Sequence, residues 1–482
     1  MSDPNGLVYY RGRYHLFYQH NPEANVPGKM SWGHASSSDL VRWTEHPVAI
    51  AHEDGEDVYS GSVVVDHRNS SDFGVGNEPP LVAVYTSAYS DGRQAQSLAY
   101  STDAGMTWTK YLGNPVLDRA SNSFRDPKVS WYQTVDGSGY WLMVAVEADA
   151  RQVVFHRSDD LKRWTYLSTF GPIGATEGLW ECPDVFALPV DGDPNQIRWV
   201  LIVSLDPGRA TVGTSTHYFV GDFDGIGFTA ASPDEVQRLD WGRDLYAAVG
   251  FDNVTHGRRI VIGWMSNWNY AASVPTFPWR GSMSLPRELS LATIEGAVML
   301  VQQPPVELSA LDQVADRFSL TAFDLDSIRP IEGGRQYRVD VTFEPVNADE
   351  VGLDLFVGGG QTTRLSYDVR AERLTLDRTR SGETDFEASF ASIDSAQVAL
   401  RDGALQLQVF VDRTSVEVFA QGGLVSLTEQ VFAANDSAGL AIFSLGGLTR
   451  VKAFEWTPLG ETNAAVSVPF ANRSEPASIE DR

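Results

Sequence analysis

The chain has 482 residues, 43% hydrophobic and 11% aromatic, with a formal net charge of -26. That length exceeds one ordinary core and predicts two domains. The negative balance excludes nucleic acid and anionic membrane as partners and fits a neutral substrate. No run approaches about 18 apolar residues, so no transmembrane helix is expected. The first residues have no charged leader with an apolar core behind it, so no signal peptide is expected within this chain. Cys182 is the only cysteine, which rules out an intrachain disulfide and leaves the redox compartment open.

At the front, Asp3-Pro4-Asn5-Gly6 is turn chemistry leading into the strand-like run Leu7-Val8-Tyr9-Tyr10. Short apolar runs separated by turns follow, among them Val63-Val64-Val65, Leu81-Val82-Ala83-Val84-Tyr85 and Trp199-Val200-Leu201-Ile202-Val203. Helical periodicity is missing, and the chain reads as all-β. A polar turn plus Trp recurs: Ser38-Asp39-Leu40 leads to Trp43, Ser101-Thr102-Asp103 to Trp108, and Ser158-Asp159-Asp160-Leu161 to Trp164. Fainter echoes fall at Gly221-Asp222-Phe223-Asp224 and between Trp264 and Trp268. The interval suits four-stranded propeller blades, five of them over residues 1–300, with the repeated Asp and Trp in structural roles.

Residues 301–315, with Gln302-Gln303-Pro304-Pro305, read as a linker, and a helical patch is expected over 308–318. Beyond it, alternation in Tyr337-Arg338-Val339-Asp340-Val341 and Ser415-Val416-Glu417-Val418-Phe419 predicts a β-sandwich over 316–482. This second domain reads as a scaffold sharing an apolar face with the propeller. The tail from Asn463 is polar and expected to be poorly ordered.

Two further acids stand, like Asp3, beside Pro and apolar sequence: Arg125-Asp126-Pro127 and Trp180-Glu181-Cys182-Pro183. Inner strands of different blades converge on a propeller axis, so the three carboxylates can meet there. Cleaving a glycosidic bond with retention needs two carboxyl groups about 5–5.5 Å apart, one ionised and one protonated. Three acids in one pocket repel one another's charge, which favours a proton on one of them. Glu181, in an apolar setting, is the candidate. The 9 His residues show no metal-binding spacing, so neither a metal nor another cofactor is expected.

Met1-Ser2-Asp3-Pro4-Asn5-Gly6, Tyr59-Ser60-Gly61-Ser62, Phe124-Arg125-Asp126-Pro127, Trp180-Glu181-Cys182-Pro183, Arg243-Asp244-Leu245-Tyr246-Ala247, Gly263-Trp264-Met265-Ser266-Asn267-Trp268 and Ser415-Val416-Glu417-Val418-Phe419 occur in order along nearly all the chain. In these motifs it resembles glycoside hydrolase family 32, the β-fructofuranosidases. The resemblance implies Asp3 as nucleophile, Glu181 as acid/base, and Asp126 as transition-state stabiliser helped by Arg125. It implies Asn5, Gln19, Trp32, Ser60 and Trp268 as ligands and walls of a fructose pocket, with Asp240 also touching substrate. Cys182 is expected to pack beside Glu181 and tune it. The chain departs from the family at Ser2, where Asn is usual, and at Pro27, where an aromatic is common. The expected activity is retaining exo-hydrolysis of levan or inulin, and of sucrose, outside a bacterial cell, with the cytoplasm as the other setting. The rivals are a fructosyltransferase on the same scaffold, an inverting arabinan- or xylan-cleaving propeller, and a carbohydrate-binding propeller without catalysis.

Overall fold

The computed structural model describes residues 1–134, 136–208 and 213–462. The tail from Asn463 lies outside the described residues. Three antiparallel sheets follow one another along the chain. Blade 1 is Pro4–Tyr10, Arg13–His20, Ser31–Ser37 and Trp43–Ile50. Blade 2 is Glu56–Val65, Leu81–Tyr89, Gln94–Ser101 and Thr109–Lys110, with Leu117–Ser121 also on its third strand. Blade 3 is Phe124–Gln133, Gly139–Glu147, Gln152–Ser158 and Thr165–Phe170. Blade 4 (Leu179–Val190, Asp193–Asp206, Ser215–Phe223, Phe228–Ala230) and blade 5 (Tyr246–Gly250, Arg259–Met265, Arg287–Ile294, Ala297–Gln303) are joined by a Val190–Leu291 bridge. The first strands of the blades touch one another around the axis. Blades 1 and 5 close the ring through Tyr9 N–H on Asp252 O (2.9 Å) and Asp252 N–H on Leu7 O (2.8 Å).

The core runs between blades, which is why inner strands such as Val63-Val64-Val65 are buried on both faces. The Trp repeat closes the turn between third and fourth strands. Asp39 accepts backbone N–H from Val41 and Arg42, and Trp43 Nε1 donates to Leu40 O at 3.0 Å. Trp108 does the same to Gly105 O (3.0 Å) and Trp164 to Leu161 O (2.8 Å). Each accepting residue has a positive φ. The three Trp rings pack on the blade before their own: Trp43 on blade 5, Trp108 on blade 1 and Trp164 on blade 2. In the third copy the capping acid is Asp160, not Asp159. Asp224 caps the blade 4 turn, but Trp264 and Trp268 occupy no equivalent turn, since Trp264 lies within the second strand of blade 5 and Trp268 just after it.

The expected helical patch is corrected to two short 3-10 turns, Val306–Leu311 and Val314–Asp316, followed by the strand Phe318–Leu320. Asp312, with extended backbone (φ -62°, ψ 122°), ends the first turn and separates it from the second. Two sheets then pack face to face. One holds Tyr337–Pro345, Leu405–Asp412, Ser415–Ala420, Val425–Gln430 and Thr449–Pro458, and the other Glu350–Gly358, Gln361–Asp368, Arg373–Arg380 and Gly439–Leu445. The alternating residues Val339, Val341 and Phe343 meet Leu353, Leu365 and Leu376 between them.

The face shared with the propeller is less apolar than expected. A patch of Val41, Leu308, Phe410 and Phe419 is present, but the centre is ionic. Arg287 donates to Asp240 (2.9 Å) and Glu417 (3.0 Å), and Arg378 donates to Asp244 (2.6 Å) and lies 2.7 Å from Glu429.

Candidate active site

The first strands of all five blades lose register at one level, between Asn5 and Val8, Tyr59 and Gly61, Arg125 and Lys128, Glu181 and Asp184, and Tyr246 and Val249. Four of these bulges carry a residue with positive φ: Gly6 (54°), Asp126 (62°), Cys182 (47°) and Ala247 (53°). A bulge turns a side chain off the ladder and toward the axis, and it leaves a position where Pro sacrifices no hydrogen bond. That is the local reason for acid-next-to-Pro in blades 3 and 4, whereas in blade 1 Asp3-Pro4 stands at the head of the strand, before its bulge.

Cys182 joins the acids. Its backbone N–H donates to Asp126 Oδ2 at 3.0 Å, and its Sγ lies 3.7 Å from that oxygen and 3.8 Å from Asp3 Oδ2. Asp3 Oδ2 also accepts from Ser60 Oγ at 2.8 Å, while the buried Oδ1 has no protein donor. Burial, then the neighbouring Glu181 charge, pushes the Asp3 carboxyl up from 3.8 to about 6. Burial pushes Asp126 up to about 7 against the pull of Arg125. Burial also raises the Cys182 thiol, which makes it a packed donor rather than a nucleophile.

Glu181 sits in a polar clasp, which corrects the apolar setting expected for it. Arg125 Nε (3.1 Å) and Nη2 (2.8 Å) both donate to Oε1, and the Tyr246 hydroxyl donates to Oε2. Arg125 Nε is 3.9 Å from Asp126 Oδ2, and its Nη1 reaches Gln94 Oε1 at 3.4 Å. Tyr59 stands among the same charges, its hydroxyl pushed up by burial, then by Asp57, with Arg125, Asp126 and Glu181 as smaller influences.

The other expected residues divide. Ser60 touches Asp3, and half-buried Trp268 packs on Trp264 (4.6 Å between rings) in the cluster that includes Cys182 and Tyr246. Gln19 fixes the Asp3 backbone: its N–H donates to Asp3 O at 3.0 Å and its Nε2 to Val58 O at 3.2 Å. Asn5 is fully buried, and with its amide oxygen toward Gln19 it accepts from Nε2 (3.1 Å) and donates to Ser60 Oγ (3.3 Å). Ser2 is buried and its N–H donates to Gln19 O at 3.1 Å.

Two expectations are corrected. Trp32 is 0% exposed, and its indole N–H is held by Tyr59 O at 3.0 Å, so it backs the pocket without facing it. Asp240 is 1% exposed and faces the sandwich, with Arg287, Ser426 and Thr428 around its carboxylate. The reading of the Arg243–Ala247 motif favoured its neighbouring acid and missed Tyr246, the residue that reaches Glu181. Tyr246 was legible only through the motif, because nothing local marks one buried Tyr among 17. Among the described residues, no group of His, Cys, Asp and Glu has the arrangement of a metal site.

The arrangement provides one acid with a free oxygen, one clasped acid, and a third bound to a backbone N–H. That set can attack, protonate and stabilise around a single sugar carbon.

Comparisons with known proteins agree in extent and kind. The profile for the N-terminal domain of glycosyl hydrolases family 32 matches residues 1–304, and that for the family's C-terminal domain matches residues 308–458. A levanase of Bacillus subtilis (strain 168) is 43% identical over 469 residues, covering 95% of this chain and 68% of the relative. An extracellular exo-inulinase of Aspergillus niger is 40% identical over 488 residues, covering 93% and 90%. Among solved structures, exo-inulinase from Aspergillus awamori superposes with a TM-score of 0.90 at 36% identity, covering 96% of both chains. The β-fructofuranosidase from Schwanniomyces occidentalis complexed with fructosyl-erythritol gives 0.87 at 30%, covering 96% and 95%.

Proposed function

The chain belongs to glycosyl hydrolase family 32, and we propose on that basis that it works by retention as an exo-acting β-fructosidase, releasing terminal fructose from levan- or inulin-type fructans and from sucrose. The observation that carries the mechanism is the contact of one sulfur, Cys182 Sγ, with both Asp3 and Asp126 beside a clasped Glu181. Asp3, ionised above about pH 6, attacks the anomeric carbon as Glu181 gives its proton to the leaving oxygen. Water, deprotonated by Glu181, then releases fructose from Asp3. Asp126 meets the charge that develops on the ring, and Arg125 and Tyr246 position Glu181.

The division into a catalytic propeller over 1–300, a connector over 301–315 and a supporting sandwich over 316–482 belongs to the same proposal. So does action outside the cell, a reading supported by the relative named as extracellular. No helix among the described residues is long and apolar enough to cross a membrane. The test is product chromatography on sucrose, inulin and levan in parallel. Fructose as the sole early product from the fructans is expected. Internal fragments would overturn exo action, and longer oligosaccharides made from concentrated sucrose would make the enzyme a transferase.

A further inference from the structure

Three aromatic side chains among the described residues are largely exposed: Phe277 at 87%, Trp279 at 66% and Tyr166 at 52%. Tyr166 is on the outer strand of blade 3, whereas the other two lie two positions apart on one segment whose next residue, Arg280, touches Met1, close in sequence to Asp3. Their segment follows the second strand of blade 5 past Trp268 and returns to the residues just before the first strand of blade 1. There the Met1 nitrogen donates to Arg280 O at 2.6 Å. The backbones touch closely enough that a Cβ added at Gly281 would lie 1.9 Å from Met1 O. Met1 is two positions from Asp3. The connection between His20 and Ser31, which follows the second strand of blade 1, has no aromatic residue and carries a Lys29–Glu23 ion pair.

Isolated exposed apolar side chains are ordinary on a protein surface. Two large rings on one segment anchored at Met1, in a protein with a pocket for a neutral sugar, are a different matter. Sugar rings present a face of C–H groups, and an aromatic ring offers it wide contact without charge.

We propose that Phe277 and Trp279 form an outer stacking platform for the sugar units that follow the terminal fructose of a fructan chain. This rests on the fructosidase reading and deepens it by assigning the preference for polymer to a rim feature, outside the ring of acids. Sucrose has one unit beyond its fructose and gains little from the platform, while inulin and levan lay several units across it. The platform therefore favours polymer through binding, and it leaves the chemical step alone.

The test compares Trp279→Ala, Phe277→Ala and the double variant with the unaltered protein on sucrose, inulin and levan, with Tyr166→Ala as control. The KM for inulin and levan should rise about 3- to 10-fold in Trp279→Ala, with kcat held and sucrose kcat/KM within about twofold. Trp279→Phe should recover most of the loss, and Tyr166→Ala should change nothing. Retardation of Glu181→Gln in native gels containing levan should weaken when Trp279→Ala is added. Equal losses on sucrose and polymer, or unchanged KM and gel retardation, would overturn the platform. Failure of the unaltered protein to release fructose from any of the three would overturn the fructosidase reading, and the gel would still judge the platform.

Discussion

The seam between propeller and sandwich and the pocket both gather buried carboxylates, and the two places treat them differently. In the seam between propeller and sandwich, Asp240 and Glu417 share Arg287, and Asp244 and Glu429 share Arg378, so every acid touches a guanidinium. Ser426, Thr428, Tyr270 and Gln430 fill further bonds. In the pocket, three acids have one guanidinium among them. Arg125 grips Glu181, stands 3.9 Å from Asp126, and makes no ion pair with Asp3. Burial lifts the carboxyls in both places, Glu417 and Glu429 as well as Asp3 and Asp126; what sets the pocket apart is Asp3, which has no guanidinium partner and keeps one oxygen free for chemistry. The seam ends where the pocket begins, since Asp244 is two residues from Tyr246.

That contrast breaks most visibly if an acid is removed from each place. Asp3→Ala or Glu181→Ala should lower turnover by about 10⁴-fold or more, with the fold intact. Circular dichroism beside kinetics checks this, and near-normal activity would end the assignment. Removing a seam cation should do the reverse. Arg378→Met leaves Asp244 and Glu429 buried without their cation and should cost about 3–5 kcal/mol in denaturant unfolding. Arg125→Met should cost far less stability and mainly lose turnover.

A smaller effect sharpens the comparison through pH. Asp3 and Asp126 rise from 3.8 to about 6 and about 7 on folding. The folded state therefore holds their protons more tightly, and their contribution to stability is full below about pH 4 and lost as pH rises through 6 to 7. Asp126→Asn should accordingly be about 1–3 kcal/mol more stable than the unaltered protein at pH 8, with the gap closing toward pH 4. A gap that widened in acid would contradict the sign. The acid limb of kcat/KM should fall between about pH 6 and 7, where Asp3 and Asp126 ionise. In Glu181→Gln it should move lower, because the charge that lifts Asp3 is gone; a fructoside whose leaving group needs no proton makes this measurable. Smallest of all, Tyr270→Phe removes one hydroxyl from the seam and should cost about 1 kcal/mol with little change in kcat.

Asp126 and Glu181 were legible because Pro beside a carboxylate inside apolar sequence marks a bulge, and bulges aim side chains at an axis; Asp3 was legible through Pro at the start of a strand. The blade repeat was legible through Trp43, Trp108 and Trp164, whose indoles close a turn of fixed length. Sequence could not tell which face a buried acid takes. Asp240 and Asp244 sit four residues apart in a motif next to the pocket, yet their partners Arg287, Thr428 and Arg378 come from strands far along the chain. Trp32 misled for a related reason, since a Trp behind a pocket and one lining it look alike until Tyr59 O is seen to hold its N–H. Setting also escaped the sequence at Glu181, where Trp180 and Cys182 read as apolar while Arg125 and Tyr246 arrive from other blades.

The most direct test of the nucleophile is to quench the reaction in its first turnover and map peptides by mass spectrometry. A fructosyl group esterified to the peptide that carries Asp3 is the expected result. A label on Asp126 or Glu181, or a product burst with no labelled peptide, would contradict it.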